Sequence, residues 1–532
     1  MAPEAQELVD GTLHQNISGI GLDPTYVRAE GNSLWAAAHD GSETEIADFV
    51  CGYGSLLLGH NNPEIVAYAT EVLNARTPIH SQFSRRPEAN KVTEVLNRIA
   101  RREFGTADTY FGVFANTGAE AVEAAVKHAE LDRGMRVLAL VAQVTEHTEQ
   151  ARAAVASGAA TVDAATLTRL GITSRGDGAG DLEALLAEVE AHNGRTLSKA
   201  PVFFTLEGGF HGKLAASIQL THNPSFRTPF TSLATNARFL PVNSAAAVRP
   251  AFEAARATVL DPVVTDGTVE IAEVAAPVFG AFFVEPVQGE GGIVPLAPEF
   301  AKEIAAVSAE FDCPVVVDEI QSGSGRTGAF FAASQLGLQG DYITLAKSIA
   351  GGVAKLSVLL VRESRYRPEF ELLHSSTFAK DGFSTLIAQK TLEIMERDGG
   401  EVYRRAAERG ARLLDVLESV RADFPDVVKD VRGRGLLLGL ELHDQSGSAS
   451  PNVAGAQAGG VFGYLVSGFL LHRHAVRVLP TSSAPNTLRL QPSVDLTDAQ
   501  IERLDAGLRE ACAALRTADE ATLLGFLGAR TF

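Results

Sequence analysis

The chain has 532 residues, 45% apolar and 21% charged, the composition of an ordinary globular protein and not of a disordered one. Its formal net charge of −19 argues against a nucleic-acid backbone or an anionic membrane as the main partner. Cys51, Cys313 and Cys512 lie far apart, without metal-ligand spacing or a disulfide framework, so no metal is expected.

In chain order, "MAPEAQELVDGTLHQN" lacks the basic and apolar regions of a signal peptide. The first 90 residues carry Gly-punctuated turns, as in "VCGYGSLLLGHNNPEIV" (50–66), and are expected to pack with the C-terminal part. Next, "FANTGAEAVEAAVKHA" (114–129) opens an apolar-periodic helix on a small-residue turn. Such a start is either an ordinary capped helix or a cradle whose free backbone N–H groups bind phosphate. Residues 141–200 are Ala-rich helical segments joined by Gly/Ser turns, predicted to form an inserted helical lobe with no catalytic cluster.

From residue 201 the pattern alternates strands and helices. Strands are predicted at 201–208, 281–287, 314–320, 342–347 and 356–361, with amphipathic segments such as "EFAKEIAAVSAEF" (299–311) between several of them. This is an α/β pattern: a mostly parallel sheet with helices on both faces, in a large domain over 91–370. Past about 385, a long helix (384–421), a strand or hairpin (428–442) and terminal helices predict a smaller α+β domain, 371–532, completed by the N-terminal segment. The longest apolar stretch, "VFGYLVSGFLLH" (461–472), is too short to span a bilayer. A cytoplasmic protein with no membrane and no nucleic-acid partner is expected.

Ligands in open α/β sheets bind at the carboxyl ends of the strands, so polar strand ends are site candidates. The run "PVVVDEI" ends in Asp318 and Glu319, and buried carboxylates are costly unless something pairs with them. "YITLAK" ends in Lys347. Taken alone it is an exposed lysine. Beside Asp318 it completes the defining pair of a pyridoxal 5'-phosphate (PLP) site: a Schiff-base lysine, and an aspartate that keeps the pyridine nitrogen protonated. "LEGGFHGK" ends a further strand with Phe210 and His211, an aromatic and an imidazole suited to a pyridine ring.

The set "NTGAEAVEAA", "GGFHGK", "FFVEPVQGEGG", "VVVDEIQSGSGRTG", "TLAKSIAGG" and "HSSTFAKD" resembles, in order and spacing, the class-III aminotransferases. These are PLP enzymes of fold type I that include the ornithine, GABA and ω-amine transaminases. The resemblance spans about residues 30–500. The 141–200 lobe departs from the usual short bridge and is similar to the enlarged insert of actinobacterial natural-product transaminases of the caerulomycin-biosynthesis type.

The resemblance implies that Lys347 binds the cofactor and shuttles the proton, and that Asp318 pairs with the pyridine nitrogen. It implies that Ile320 and Phe210 flank the ring, that Gln321 bonds the phenolic oxygen, and that Gly118 and Ala119 offer N–H groups to the phosphate. His211 and Glu285 join the cofactor-binding set, and Thr377 is to reach the phosphate of a neighbouring subunit, which makes the protein a homodimer with shared sites. Glu290 and Arg489 match a substrate switch: Arg489 binds the α-carboxylate of a donor such as L-glutamate, and Glu290 neutralises it when no carboxylate is present. Tyr53 matches a pocket-lining position, and the "SQFSRR" loop (81–86) is expected to shape the pocket. Lys213 stands where ornithine enzymes carry an arginine, which weakens the case for ornithine.

The implied activity is ping-pong transamination from an amino donor to an aldehyde or ketone acceptor, with a place in secondary metabolism. A PLP aminomutase or racemase would share nearly every motif. A decarboxylase fits the motif set less well. A PLP-binding regulator is disfavoured by intact Lys347, Asp318 and Gln321.

Overall fold

A computed structural model of the protein describes residues 9–37, 41–81, 83–233 and 237–528. The start of the N-terminal stretch, residues 1–8, and Gln82 of the 81–86 loop lie outside them.

The central sheet has seven strands: β1 (Tyr110–Ala115), β2 (Val202–Leu206), β3 (Ala237–Leu240), β4 (Phe279–Val284), β5 (Val315–Asp318), β6 (Tyr342–Leu345) and β7 (Ser357–Arg362). Their spatial order is β1-β7-β6-β5-β4-β2-β3. The pairs β2–β3, β2–β4, β4–β5 and β5–β6 are parallel, and β7 alone runs antiparallel to both its neighbours. The ends of β1, β2, β4, β5 and β6 therefore open on one edge.

Runs such as Val315–Val317 are buried throughout because helices cover both faces. One face packs Phe203, Phe283 and Val316 against Val122 and Ala125 of helix α1 (Gly118–Ala156). The other packs Phe204, Phe282 and Val317 against Phe300, Ile304 and Val307 of the helix Pro298–Glu310.

α1 is 39 residues long, and its far half enters the lobe, where it meets α2 (Gly178–Leu197). The lobe also takes in a hairpin, Thr258–Thr265 with Thr268–Ala275, which the sequence pattern does not assign to it. Two polar devices fix the hairpin. Asn193 of α2 bonds both backbone groups of Leu260, at 2.7 and 2.8 Å. Buried Asp261 meets Gln143 and His147 of α1, each at 2.9 Å.

The predicted helix 384–421 is two helices, α3 (Gly382–Glu396) and α4 (Glu401–Asp423). Asp398, Gly399 and Gly400 between them all take positive φ, which a right-handed helix cannot hold. The second sheet, antiparallel, has the order β8 (Val428–Arg434), β9 (Leu437–Leu442), β11 (Thr487–Leu490), β10 (Leu479–Pro480). Near the N-terminus, Glu43–Asp48 pairs in parallel with Val476–Arg477. The apolar stretch at 461–472 lies in a mostly buried helix, α5 (Phe462–His474). Among the described residues, no helix is long and apolar enough to cross a membrane.

Arg326, fully buried, ties these parts together. It donates to the carbonyls of Gly54 (3.1 Å), Leu436 (2.9 Å) and Pro492 (3.0 Å), three segments remote in sequence. Burial lowers its pKa to about 10, so the guanidinium stays charged at neutral pH. A lysine has the charge but not the planar fork. Arg326→Lys is expected to strand at least one buried carbonyl, costing about 1–3 kcal/mol. Thermal unfolding should show a midpoint about 1–3 °C lower.

Candidate active site

A cavity of about 510 Å³ lies at the shared edge, lined by Gly118, Ala119, Phe210, His211, Asp318 and Lys347 among others. The aspartate closes β5, and Lys347 follows β6 after a single alanine. Side chains alternate along a strand, so Asp318 and Glu319 point to opposite faces. Asp318 Oδ2 lies 2.8 Å from His211 Nδ1, and Oδ1 accepts from the Thr344 hydroxyl and the Ile320 N–H, both at 3.1 Å. His211 is itself buried, with Nε2 3.2 Å from the Thr205 hydroxyl oxygen. Burial disfavours its charge, but the Asp318 hydrogen bond and charge outweigh this and raise its pKa.

Glu319 faces away from the cavity and accepts from the Ser322 hydroxyl (2.6 Å) and the Ala333 N–H (2.7 Å). Burial pushes its carboxyl up to about 7. The second carboxylate of the pair is thus held by hydrogen bonds from its own surroundings and needs no cation from the cavity. Glu285, beyond β4, is similar: it accepts from the N–H groups of Phe210 and Gly289, and burial raises it to about 7.

Lys347 sits in the left-handed region, φ 52°, which turns its side chain into the cavity lining. Burial, joined by the charge of Arg489, lowers its pKa to about 8 against the pull of Glu290, Asp318 and Glu285.

The start of α1 is a capping box. Thr117 Oγ1 accepts from the Glu120 N–H, and the Glu120 carboxylate accepts from the N–H groups of Asn116 and Thr117. That arrangement leaves the Gly118 and Ala119 N–H groups, at the cavity wall, for a ligand. The cradle is closely fitted. A Cβ on Gly118 would come within 2.9 Å of Ile320, and one on Gly212 within 2.7 Å of the Ala119 Cβ. Opposite, Gln321 presses so near Gly289 that a Cβ there would collide with its Oε1. An anionic group at the helix start, a flat ring between Ile320 and Phe210 and a carbonyl near Lys347 therefore fit the donors and shape present.

The substrate candidates cluster beside this cavity. Arg489, on β11, is 2% exposed and forms an ion pair with Glu290. Its guanidinium carbon also lies 4.7 Å from the Tyr53 ring centre. Burial works to raise the Glu290 pKa, but Arg489 and Ser482 hold it at about 2. Tyr53 is 48% exposed, on a turn in which Cys51, Gly52, Tyr53 and Gly54 all have positive φ. Two non-glycine residues there carry backbone strain. Arg326 and the Ser348 hydroxyl hold the turn at the Gly54 carbonyl. Lys213 lies at the cavity wall, 3.7 Å from the Phe226 ring centre.

Thr377 is apart from the rest, on an exposed turn and not among the lining residues. The residues that sequence reasoning missed are Thr344, Ser348, Arg326 and Ser482. Thr344 could have been found as the polar residue inside the otherwise apolar run Ile343–Ala346, but nothing in the sequence marks the other three. Asp48, Cys51 and His60 also come within 4.8 Å of one another, but Arg477 pairs with Asp48 at 3.0 Å and supplies the positive charge there.

The family model described as "Aminotransferase class-III" matches residues 21–511. Among solved structures, an ornithine aminotransferase from Toxoplasma gondii is 20% identical, with a TM-score of 0.64, covering 93% of this chain and 91% of that one. A transaminase from the marine bacterium Virgibacillus is 18% identical, with a TM-score of 0.67, covering 93% and 94%. An amine transaminase from an uncultivated Pseudomonas species is 20% identical, with a TM-score of 0.66, covering 93% and 95%. The fold is that of PLP fold type I.

Two pH dependences follow. Glu319 titrates near 4.5 when unfolded and near 7 when folded, so its contribution to stability is full below pH 4.5 and lost as pH rises toward 7. Glu319→Gln is expected to flatten that part of the thermal-stability profile; an unchanged slope would show that the carboxyl titrates normally. Only the neutral amine of Lys347 attacks a carbonyl, so reconstitution of apoprotein with PLP should accelerate with a midpoint near pH 8. A midpoint near 10.5 would show an unshifted lysine.

Proposed function

The chain belongs to the class-III aminotransferases, PLP-dependent enzymes that move an amino group from a donor to a carbonyl acceptor, and from that premise we propose how its residues divide the work. When bound, PLP supplies an electron sink that makes a proton at the substrate carbon labile. The observation that carries the reading is the convergence of half-buried Lys347 and buried Asp318 on one cavity that also opens onto the start of α1.

Lys347 is the attaching lysine and the general base. Burial lowers its pKa to about 8, so a useful fraction is neutral near physiological pH, and the same amine returns the proton in the second half. Asp318 holds positive charge at the pyridine nitrogen, and His211, Thr344 and the Ile320 N–H fix its orientation. Gly118 and Ala119 bind the phosphate. Phe210 and Ile320, on the cavity wall, would confine the ring, and Gln321 would offer its amide to an oxygen substituent. Glu285 buttresses the turn after β2 by accepting from the Phe210 N–H.

Arg489 binds the α-carboxylate of the donor, which we take to be L-glutamate, and Glu290 neutralises Arg489 when the other substrate lacks that group. The order is ping-pong: the keto product leaves before the acceptor enters. Thr377 serves the phosphate of a second copy in a homodimer. In support, Leu372 and Phe378 on the same segment are 94% and 62% exposed, apolar surface of the kind a partner covers. A role in secondary metabolism accords with the enlarged lobe.

The direct test adds L-glutamate without acceptor to purified holoprotein. Loss of the visible cofactor band with one equivalent of 2-oxoglutarate per site is expected. A band that does not respond would point to another donor or to the mutase reading. In the same assay, Arg489→Lys should raise the KM for glutamate at least about tenfold, because an ammonium cannot reproduce the bidentate contact. An unchanged KM would remove Arg489 from donor recognition.

A further inference from the structure

The Glu290–Arg489 pair is gripped more tightly from one side than from the other. Strands β10 and β11 form a hairpin, with Leu479 opposite Arg489, and Ser482 lies in its turn. Glu290 reaches this hairpin from the loop after β4. Its Oε1 faces Arg489. Its Oε2 accepts twice from Ser482, from the N–H at 2.9 Å and the hydroxyl at 2.7 Å.

The main chain of the loop is pinned as well. Ser483 N–H donates to the Glu290 carbonyl at 3.1 Å, and Arg432 Nε donates to the Gly292 carbonyl at 2.8 Å. Gly289 N–H is held by Glu285 at 3.1 Å. Arg489, by contrast, rests against the Tyr53 ring face, along which a guanidinium can slide without losing contact.

We propose that Ser482 is a specificity-determining residue: it fixes Glu290 in place, so that Arg489 alone moves when a carboxylate-bearing substrate replaces one without a carboxylate. This rests on the Glu290–Arg489 reading above. With no substrate carboxylate, Arg489 stays on Glu290. When a carboxylate draws the guanidinium away, Glu290 loses its cation yet keeps two donors at Oε2, and the half-buried charge is not stranded. The Ser482 hydroxyl counts for more in the second state, where it is one of two remaining partners, than in the first. Removing it should therefore weaken selectively the binding of substrates that carry the carboxylate.

The test uses holoenzyme and two reagents that displace Lys347 from the cofactor by the same condensation, with no oxidant needed. Aminooxyacetate carries a carboxylate and methoxyamine does not. Ser482→Ala is expected to lower the second-order rate constant for aminooxyacetate about tenfold, the weight of one charge-assisted hydrogen bond. The methoxyamine constant should stay as in the wild type, and Ser482→Thr should restore the aminooxyacetate rate. An equal loss for both reagents would reduce Ser482 to a structural role. An unchanged or faster aminooxyacetate rate would overturn the proposal.

Arg489→Ala is the reference. If it leaves the aminooxyacetate rate intact, the carboxylate site itself is misassigned and the proposal falls with it. Failure of glutamate as the donor is a separate result, since neither reagent depends on it. A crystal structure with aminooxyacetate bound gives a readout free of kinetics. Glu290 should remain within hydrogen-bond distance of Ser482 while the guanidinium is displaced, and a Glu290 that has swung away would contradict the mechanism.

Discussion

A carboxylate buried at the end of a sheet strand is tolerable only if its charge is answered, and the site is organised around that requirement at Asp318. Three groups already orient it: His211, the Thr344 hydroxyl and the Ile320 N–H. Its neighbours meet the same constraint in different ways. Glu285 and Glu319 have pKa values near 7 and rely on backbone and hydroxyl donors. Glu290 keeps its charge through Arg489 and Ser482. Lys347 is brought down toward neutrality. The result is a cavity wall whose protonation states are set by burial and by a few fixed partners, as acid–base work near neutral pH requires.

The topology explains why so much of this was legible. With parallel strands, each polar group that follows an apolar run reaches the same edge, so His211, Glu285, Asp318 and Lys347 could be grouped before any contact was known. The phosphate cradle was legible only beside Asp318 and Lys347, because a small-residue turn opening a helix is equally an ordinary capped start, and strand β1, which brings α1 to this edge, has no clear signal of its own. Even the adjacent carboxylates separate by strand alternation alone.

What was not legible depends on long-range packing. The helix expected over 384–421 is interrupted at 398–400, where helical periodicity on either side outweighed an Asp-Gly-Gly stop signal in the reading. The hairpin at 258–275 joins the lobe through Asn193, His147 and Gln143, contacts between residues 67 to 118 positions apart, and no local pattern announces them. Arg326 looks like part of a Gly-rich turn, yet it joins three remote carbonyls. Ser482 sits in an unremarkable hairpin turn and gains meaning only because Glu290 arrives there. In each case the sequence supplies the residue and the fold supplies its partner.

The whole arrangement turns on Lys347 as the residue to which the cofactor attaches. Borohydride reduction of the holoprotein, followed by peptide mass spectrometry, tests it most directly. A reduced pyridoxyl adduct is expected on the peptide containing Lys347, and none in Lys347→Ala. An adduct on another lysine, Lys213 or Lys355 at the cavity wall for example, would contradict it.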